Sequence, residues 1–371
     1  MKIALDATYA AYPEPTGTGI YSQRLISALA ALPAFHPARG NPEYRLVLYF
    51  RLGPYLRWAR KRNWPPGCSI SPLLDFWPAA PRAGLFHGLN QRLLESACPV
   101  RVVTIHDLFP LTSPDYSTVE FQRRFTELLQ RAVARADRII AVSDATRQQL
   151  LRHTEAADSR IRVVHHGVDP ARIPPQIEQE AFRGRALGLK NREKFFLNVG
   201  TIQVRKNVAN IILALKRLPE FRLVLAGGDG FGAERIVSLI EKEGMAGRII
   251  RLGHASGETL RMLYSTATAL VFPSLEEGFG IPILEAMSHS LPVITSNCSS
   301  MPEVAGDSAL YVDPLDVAQI SEAMRRLAED DVLASDLRRR GGERAGLFTW
   351  EKCARETWEV YQEALKSEPR P

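Results

Sequence analysis

The chain has 371 residues, of which 45% are apolar and 24% charged, and its formal net charge is +6. The length exceeds one comfortable hydrophobic core, so two domains are expected, and the balance is that of an ordinary globular enzyme. No stretch approaches the roughly 18 uninterrupted apolar residues of a membrane-spanning helix, and the four cysteines (Cys68, Cys98, Cys298, Cys353) form no CxxC pair, which argues against a zinc or redox motif.

The first apolar run is broken at once by Asp6 and carries no cleavage-site pattern. No secretory signal is expected, and a reducing cytosol is the expected compartment. Six strand-like runs follow in the first half: Ile3–Leu5, Leu46–Phe50, Leu85–His87, Val102–Ile105, Ile139–Val142 and Ile161–Val164. Between them lie amphipathic helical patterns, such as Leu25, Ile26, Leu29 and Leu32 at three-to-four spacing. Pro170, Pro174 and Pro175, then the polar Gln176–Glu180, mark a boundary within 167–185. Six more runs follow: Phe195–Val199, Leu223–Ala226, Ile249–Leu252, Ala269–Phe272, Val293–Thr295 and Leu310–Val312. A break at Gly341–Gly346 precedes a last helix near Glu351–Leu365.

Continuous apolar strands alternating with helices predict parallel sheets covered on both faces. The fold class expected is α/β, two doubly wound domains facing across a cleft: residues 1–172, residues 173–350, and a helix over 351–371 crossing back to the first domain. In such sheets ligands bind beyond the carboxyl ends of the strands. The informative residues are therefore those just after each strand.

After the run ending at Phe272 comes Glu276-Glu277-Gly278-Phe279-Gly280-Ile281-Pro282-Ile283-Leu284-Glu285. Gly278 and Gly280 admit unusual backbone and close approach of a ligand. Pro282 suits the first helical position, and the new helix directs N–H groups and a positive dipole end at the site, as a diphosphate requires. Glu285, in the first turn, can accept from ribose hydroxyls or complement the dipole. Glu277 can touch a transferred sugar or be a solvated loop charge.

After the run ending at Val199 come Gly200-Thr201 and then Arg205-Lys206-Asn207, where two cations can clamp a diphosphate and stabilise a departing nucleotide. His106-Asp107 follows another strand; His106 can hydrogen-bond a sugar or move a proton, or be a satisfied core histidine. His87 also ends a strand. Ser143-Asp144 can shape an acceptor site or cap the next helix. No Asp-x-Asp stands after a strand as a metal ligand.

The spacing Glu277-x7-Glu285 within SLEEGFGIPILEAMSHSLPVITSN resembles the signature of the GT4-like, group 1 family of retaining glycosyltransferases, and the resemblance extends over nearly the whole chain. It implies the GT-B fold, two Rossmann-like domains with donor bound by the second and acceptor by the first. It also implies roles for Thr16-Gly17-Thr18-Gly19, which is similar to the family's N-terminal Gly-rich loop near donor phosphate and acceptor, and for Gly200 and Thr201. The resemblance places the nucleotide base against loops at Gly227-Gly228, Gly253-His254 and Pro273-Ser274-Leu275. Many relatives carry Gly-Arg where this chain has Gly200-Thr201, which puts one Arg–phosphate contact in question; Arg205 can cover it.

The expected activity is retaining, metal-independent transfer of a hexosyl group. The donor is a nucleoside-diphosphate sugar, with no other cofactor; Gly-Thr-x-x-x-Arg-Lys-Asn resembles bacterial mannosyltransferases using GDP-mannose, with UDP-sugars as the alternative. Expected catalytic residues are His106, Glu277, Lys206 and Arg205. Expected donor contacts are Gly17, Gly19, Gly200, Thr201, Gly253, Ser274, Leu275, Gly278, Phe279, Gly280 and Glu285.

The expected acceptor is a saccharide or lipid-linked saccharide, and nucleic acid is not expected. Residues 1–180 hold 22 Lys and Arg against 16 Asp and Glu, while the remainder holds 25 of each. Tyr55 to Trp64 mixes aromatics with Arg57, Arg60, Lys61 and Arg62, and Arg123, Arg124, Arg131, Arg135 and Arg138 add to the same half. Such a segment can rest on the anionic inner face of a membrane, or be a solvated helix face. The competing classes are a GT-B-like nucleotide-sugar epimerase and a non-catalytic basic surface-binding protein.

Overall fold

The computed structural model describes residues 1–36, 43–73, 83–93, 98–190 and 193–367. The chain forms two units: Met1–Thr112 with Val119–Gly167 and Thr349–Pro371, and Ser113–Thr118 with Val168–Phe348. The expected divisions at 172/173 and 350/351 therefore differ from the observed ones by a few residues. The transfer of Ser113–Thr118 to the second unit was not marked by any change of composition. The last four residues of the expected C-terminal helix lie outside the described residues.

In the first unit, β1 (Lys2–Asp6), β2 (Arg45–Arg51), β3 (Ser69–Leu73), β4 (Leu85–Gly88), β5 (Val100–Ile105), β6 (Arg138–Ala141) and β7 (Ile161–Val163) form a parallel sheet of order β3-β2-β1-β4-β5-β6-β7. Among the described residues the sheet has seven strands rather than six. The missed strand, β3, reads SISPL, and Pro72 is tolerated there because, among the described residues, β3 is an edge strand paired with β2 alone. The helix Gly17–Ala31 buries Tyr21, Leu25, Ile26 and Leu29, and the C-terminal helix Trp350–Lys366 packs against it. That last helix is started by Thr349, whose hydroxyl accepts from Lys352 N at 3.1 Å. It adds Trp350, Val360 and Tyr361 to the core under β1, β2 and β4.

In the second unit, β8 (Phe195–Val199), β9 (Arg222–Ala226), β10 (Ile249–Gly253), β11 (Ala269–Phe272), β12 (Val293–Ser296) and β13 (Leu310–Val312) form a parallel sheet of order β10-β9-β8-β11-β12-β13. All five residues of β8 are buried, as a strand covered on both faces must be, and the polar one, Asn198, donates Nδ2 to Val271 O at 2.8 Å. The expected break at Gly341–Gly346 falls only at its end: the helix Asp331–Ala345 runs straight through Gly341 and Gly342 and stops at Gly346. A Cβ on Gly341 would sit 3.2 Å from Met287 Cγ, so the glycine serves close packing against the helix Ile281–Ser288.

In both sheets the strand order reverses direction next to the first strand of the unit, between β1 and β4 and between β8 and β11. A crevice opens at such a switch point, beyond the carboxyl ends of the two strands.

Candidate active site

The loops that follow β8 and β11 flank the switch point of the second unit. After β8 a short 3-10 turn, Val204–Lys206, ends at Asn207 in the left-handed region (φ 58°). Asn207 Nδ2 donates to Pro273 O at 3.0 Å and to Pro314 O at 2.6 Å, tying this turn to the loops after β11 and β13. Leu275 N donates to Arg205 O at 2.9 Å. The Arg205 guanidinium donates to Glu276 O and lies 2.9 Å from Glu277 Oε2, while Lys206 Nζ lies 2.5 Å from Glu277 Oε1. Lys206 also sits 4.7 Å above the Phe272 ring.

Glu277 is 8% exposed, so it is not a solvated loop charge. Burial alone pushes its pKa up, but Arg205 and Lys206 outweigh that and hold it down to about 2. A carboxylate between two cations fixes the direction of both, at a place where a diphosphate can share them.

The loop is also held from a side the sequence reading missed. Ser299 and Ser300, just after β12, hold its backbone. Ser299 Oγ donates to Glu277 O at 2.7 Å and accepts from Glu277 N at 3.1 Å, and Ser300 Oγ donates to Glu277 O at 2.9 Å and to Phe279 O at 2.8 Å. The signal was the polar run Ser296–Ser300 at a strand's carboxyl end, which was not read.

Gly280, at φ 106°, precedes the helix Ile281–Ser288, whose first turn no side chain caps. Pro282 carries no N–H and Ile283 N already donates to Gly280 O at 3.0 Å, so the first turn offers the Ile281 N–H to an anion at the switch point. Two readings are corrected here. Pro282 is the second helical residue, not the first. Glu285 falls in the second turn, so it does not complement the dipole; its Oε2 accepts from Tyr264 OH at 2.7 Å. Phe279 turns its ring inward, 6.0 Å from Phe348, leaving only its backbone for a ligand. Gly278 is buried in the same loop.

The other donor residues spread around this centre. Gly200 N bonds Ala226 O at 2.9 Å and Thr201 is exposed in the same turn. Ser274 is buried, and its carbonyl accepts from Ser296 Oγ at 2.6 Å; Leu275 is half-buried. Gly253 ends β10 at the sheet edge, two strands from β8.

In the first unit the Gly-rich loop is corrected to a helix start. Gly17 and Gly19 lie in the first turn of Gly17–Ala31, which no side chain caps. A Cβ on Gly19 would sit 2.7 Å from Pro15 Cβ, so that glycine is a packing requirement. His106 follows β5. Its Nε2 is 2.9 Å from Leu89 O, and only the N–H form can bond a carbonyl, so a neutral ring carries its lone pair on Nδ1.

His87 is a core histidine. It is fully buried between Tyr361 OH (2.6 Å from Nδ1) and Thr104 Oγ1 (2.9 Å from Nε2), and Thr104 lies 3.0 Å from Tyr21 OH. The Tyr21 ring in turn packs 4.7 Å from His106 and from His166. Ser143 does cap: its hydroxyl accepts from Thr146 N at 3.0 Å. The aromatics of the basic segment also turn inward. Tyr55, Trp58 and Trp64 pack on the core, leaving Leu52, Leu56, Arg57, Arg60, Lys61 and Arg62 exposed. Arg138 is engaged by Ser367 Oγ at 2.8 Å.

Burial pushes the His106 imidazole down to about 4 and His87 to about 3. An unfolded ring takes up its proton near pH 6.5. The contribution of neutral His106 to stability is therefore complete above that pH, and is lost as pH falls from about 6.5 toward 4. In NMR titrations the His106 ring signals are expected to stay constant from pH 8 to 5. A midpoint near 6.5 would contradict the burial argument. A ring neutral at working pH accepts a hydrogen bond and does not act as a general acid.

Two doubly wound parallel-sheet units, one with a cation–carboxylate cluster and a bare helix terminus at its switch point, place the chain in the GT-B class of α/β proteins. Sucrose-phosphate synthase from Thermosynechococcus elongatus has the same fold, with a TM-score of 0.76 and 22% identity over 98% of each chain. The profile of group 1 glycosyl transferases matches residues 180–345, and that of Glycosyltransferase Family 4 matches residues 35–172. O-antigen chain mannosyltransferase B of Escherichia coli is 31% identical over 98% of this chain and 100% of its own length. O-antigen chain mannosyltransferase RfbU of Salmonella typhimurium is 28% identical over 62% of this chain and 61% of its own. The chain belongs to the group 1, family 4 glycosyltransferases and is a transferase. Among the described residues no helix is long and apolar enough to cross a membrane.

Proposed function

We propose that the chain transfers a mannosyl group from GDP-mannose, with retention and without a resident metal, to the hydroxyl of a saccharide or lipid-linked saccharide, as in O-antigen synthesis. The observation that carries this reading is the Arg205–Glu277–Lys206 cluster beside the uncapped Ile281–Ser288 helix. The names of the two mannosyltransferase relatives support the sugar and the polymer.

Arg205, Lys206 and the Ile281 amide at the helix terminus meet the diphosphate, Glu285 the ribose and Glu277 the mannose. In the first unit we assign His106 and the Gly17–Gly19 turn to sugar and acceptor. The bond from the anomeric carbon to the β-phosphate oxygen breaks as the nucleotide leaves. The acceptor oxygen bonds the same face of that carbon, and its proton passes to the departing phosphate oxygen. Charge growing on the diphosphate is met by fixed cations and backbone dipoles.

The donor is tested by melting the protein with GDP, UDP, ADP and their common sugar conjugates. A ligand of the folded state raises the melting temperature. The largest shift is expected with GDP-mannose; a shift with UDP-sugars alone would reassign the donor, and no shift with any would sink the donor site. We also propose a peripheral membrane contact through Leu52, Leu56 and the neighbouring basic side chains, which fails if the protein does not sediment with anionic liposomes.

A further inference from the structure

Tyr264 lies near the end of the helix Gly257–Thr266, is 3% exposed, and donates its hydroxyl to Glu285 Oε2 at 2.7 Å. Its ring packs 5.4 Å from that of His289, whose Nδ1 lies 2.8 Å from Glu285 O. One rigid aromatic side chain thus holds the carboxylate while the next helical turn holds the backbone of the same residue.

A buried tyrosine needs a partner for its hydroxyl, and a backbone carbonyl would serve. Here the partner is a half-buried carboxylate, whose partial loss of water is costly unless it is hydrogen-bonded. Burial pushes the Glu285 carboxyl up, and the Tyr264 bond opposes that push. The tyrosine hydroxyl itself is pushed well above its ordinary range by burial and by the Glu285 charge, so it stays a donor at all working pH. With Oε2 engaged, the carboxylate retains acceptor capacity at Oε1, enough for a vicinal diol.

We infer that Tyr264 is a positioning residue of the nucleotide site, fixing the Glu285 carboxylate in the orientation that accepts from the ribose hydroxyls; this rests on the assignment of Glu285 to the ribose. Tyr264 touches no reacting atom, and its effect passes through Glu285 alone. It therefore governs ribose recognition rather than the chemical step.

The test is calorimetric titration of GDP and of 2′,3′-dideoxy-GDP into the full chain, in wild type, Tyr264→Phe, Glu285→Ala and the double variant; the UDP pair is used if the melting panel selects UDP. Wild type is expected to prefer GDP over the dideoxy nucleotide by tenfold or more, the scale of a hydrogen bond to a charged group. Tyr264→Phe should cut that preference severalfold and leave dideoxy binding within about twofold, and the double variant should match Glu285→Ala. If Tyr264→Phe keeps the ribose preference while Glu285→Ala loses it, the inference falls and the ribose assignment stands. If Glu285→Ala keeps the preference, both fall. Equal weakening of both nucleotides by Tyr264→Phe would mark a packing role and also overturn the inference. Should Tyr264→Phe fail to fold, Glu285→Asp retains the charge but withdraws it by one methylene, and a ribose preference unchanged there contradicts positioning.

Discussion

Replacing Lys206 by alanine is expected to lower kcat/KM by on the order of a hundredfold, the usual cost of one donor aimed at developing charge. The Lys206 ammonium is held by Glu277 at 2.5 Å and by the Phe272 ring, so it stands oriented before any donor arrives. If it stabilises the departing diphosphate, kcat and kcat/KM fall together. If it only binds the ground state, KM rises and kcat is unchanged. The variant should still fold, because Arg205 remains 2.9 Å from Glu277. A kcat/KM within about twofold of wild type would remove Lys206 from the chemistry.

Glu277→Gln is expected to be the most damaging single change to stability at the site. It leaves the cations of Arg205 and Lys206 without their buried counter-charge, and breaking a buried pair in this way costs about 3–5 kcal/mol. For a protein of this size that is a melting shift of about 5 °C. The pH dependence has a definite sign. The carboxyl titrates near 4.3 in an unfolded chain and at about 2 in the folded one, so its contribution of roughly 3 kcal/mol is complete above the unfolded value. The melting difference between wild type and Glu277→Gln should therefore be largest near neutrality, and shrink as pH falls from about 4 toward 2. A difference independent of pH would show that charge is not what Glu277 contributes. Because a bound diphosphate competes for the same cations, it should raise the melting point of the variant more than that of wild type.

Much of this was legible in the sequence, and the exceptions have physical causes. The six strands of the second unit were each marked by a mostly apolar run, interrupted only by Asn198 in β8 and Arg251 in the edge strand β10, since a parallel sheet covered on both faces leaves little polar alternation to confuse. β3 was missed because Pro72 and two serines sit on an edge, where pairing on one side suffices. Gly341 looked like a helix end because packing against Met287 cannot be seen from one segment.

At the site, Glu277 and Lys206 were legible as residue types after strands, but their ion pair was not, because it joins two loops 71 residues apart. Tyr264 was invisible for the same reason: nothing in GETLRMLYST shows that its hydroxyl meets Glu285. His87 and His106 looked alike in sequence, each at a strand's carboxyl end. Only the Tyr361 and Thr104 contacts show that His87 belongs to the core.

The central claim, retaining transfer of mannose from a nucleotide donor, is tested most directly by following GDP-α-mannose by NMR, with the purified protein and with or without a mannose-terminated oligosaccharide. The expected result is release of GDP only when acceptor is present, with the new linkage α. A β linkage would contradict retention. Conversion of the sugar without acceptor would make the protein an epimerase, and an unchanged donor beside acceptor would contradict GDP-mannose as the substrate.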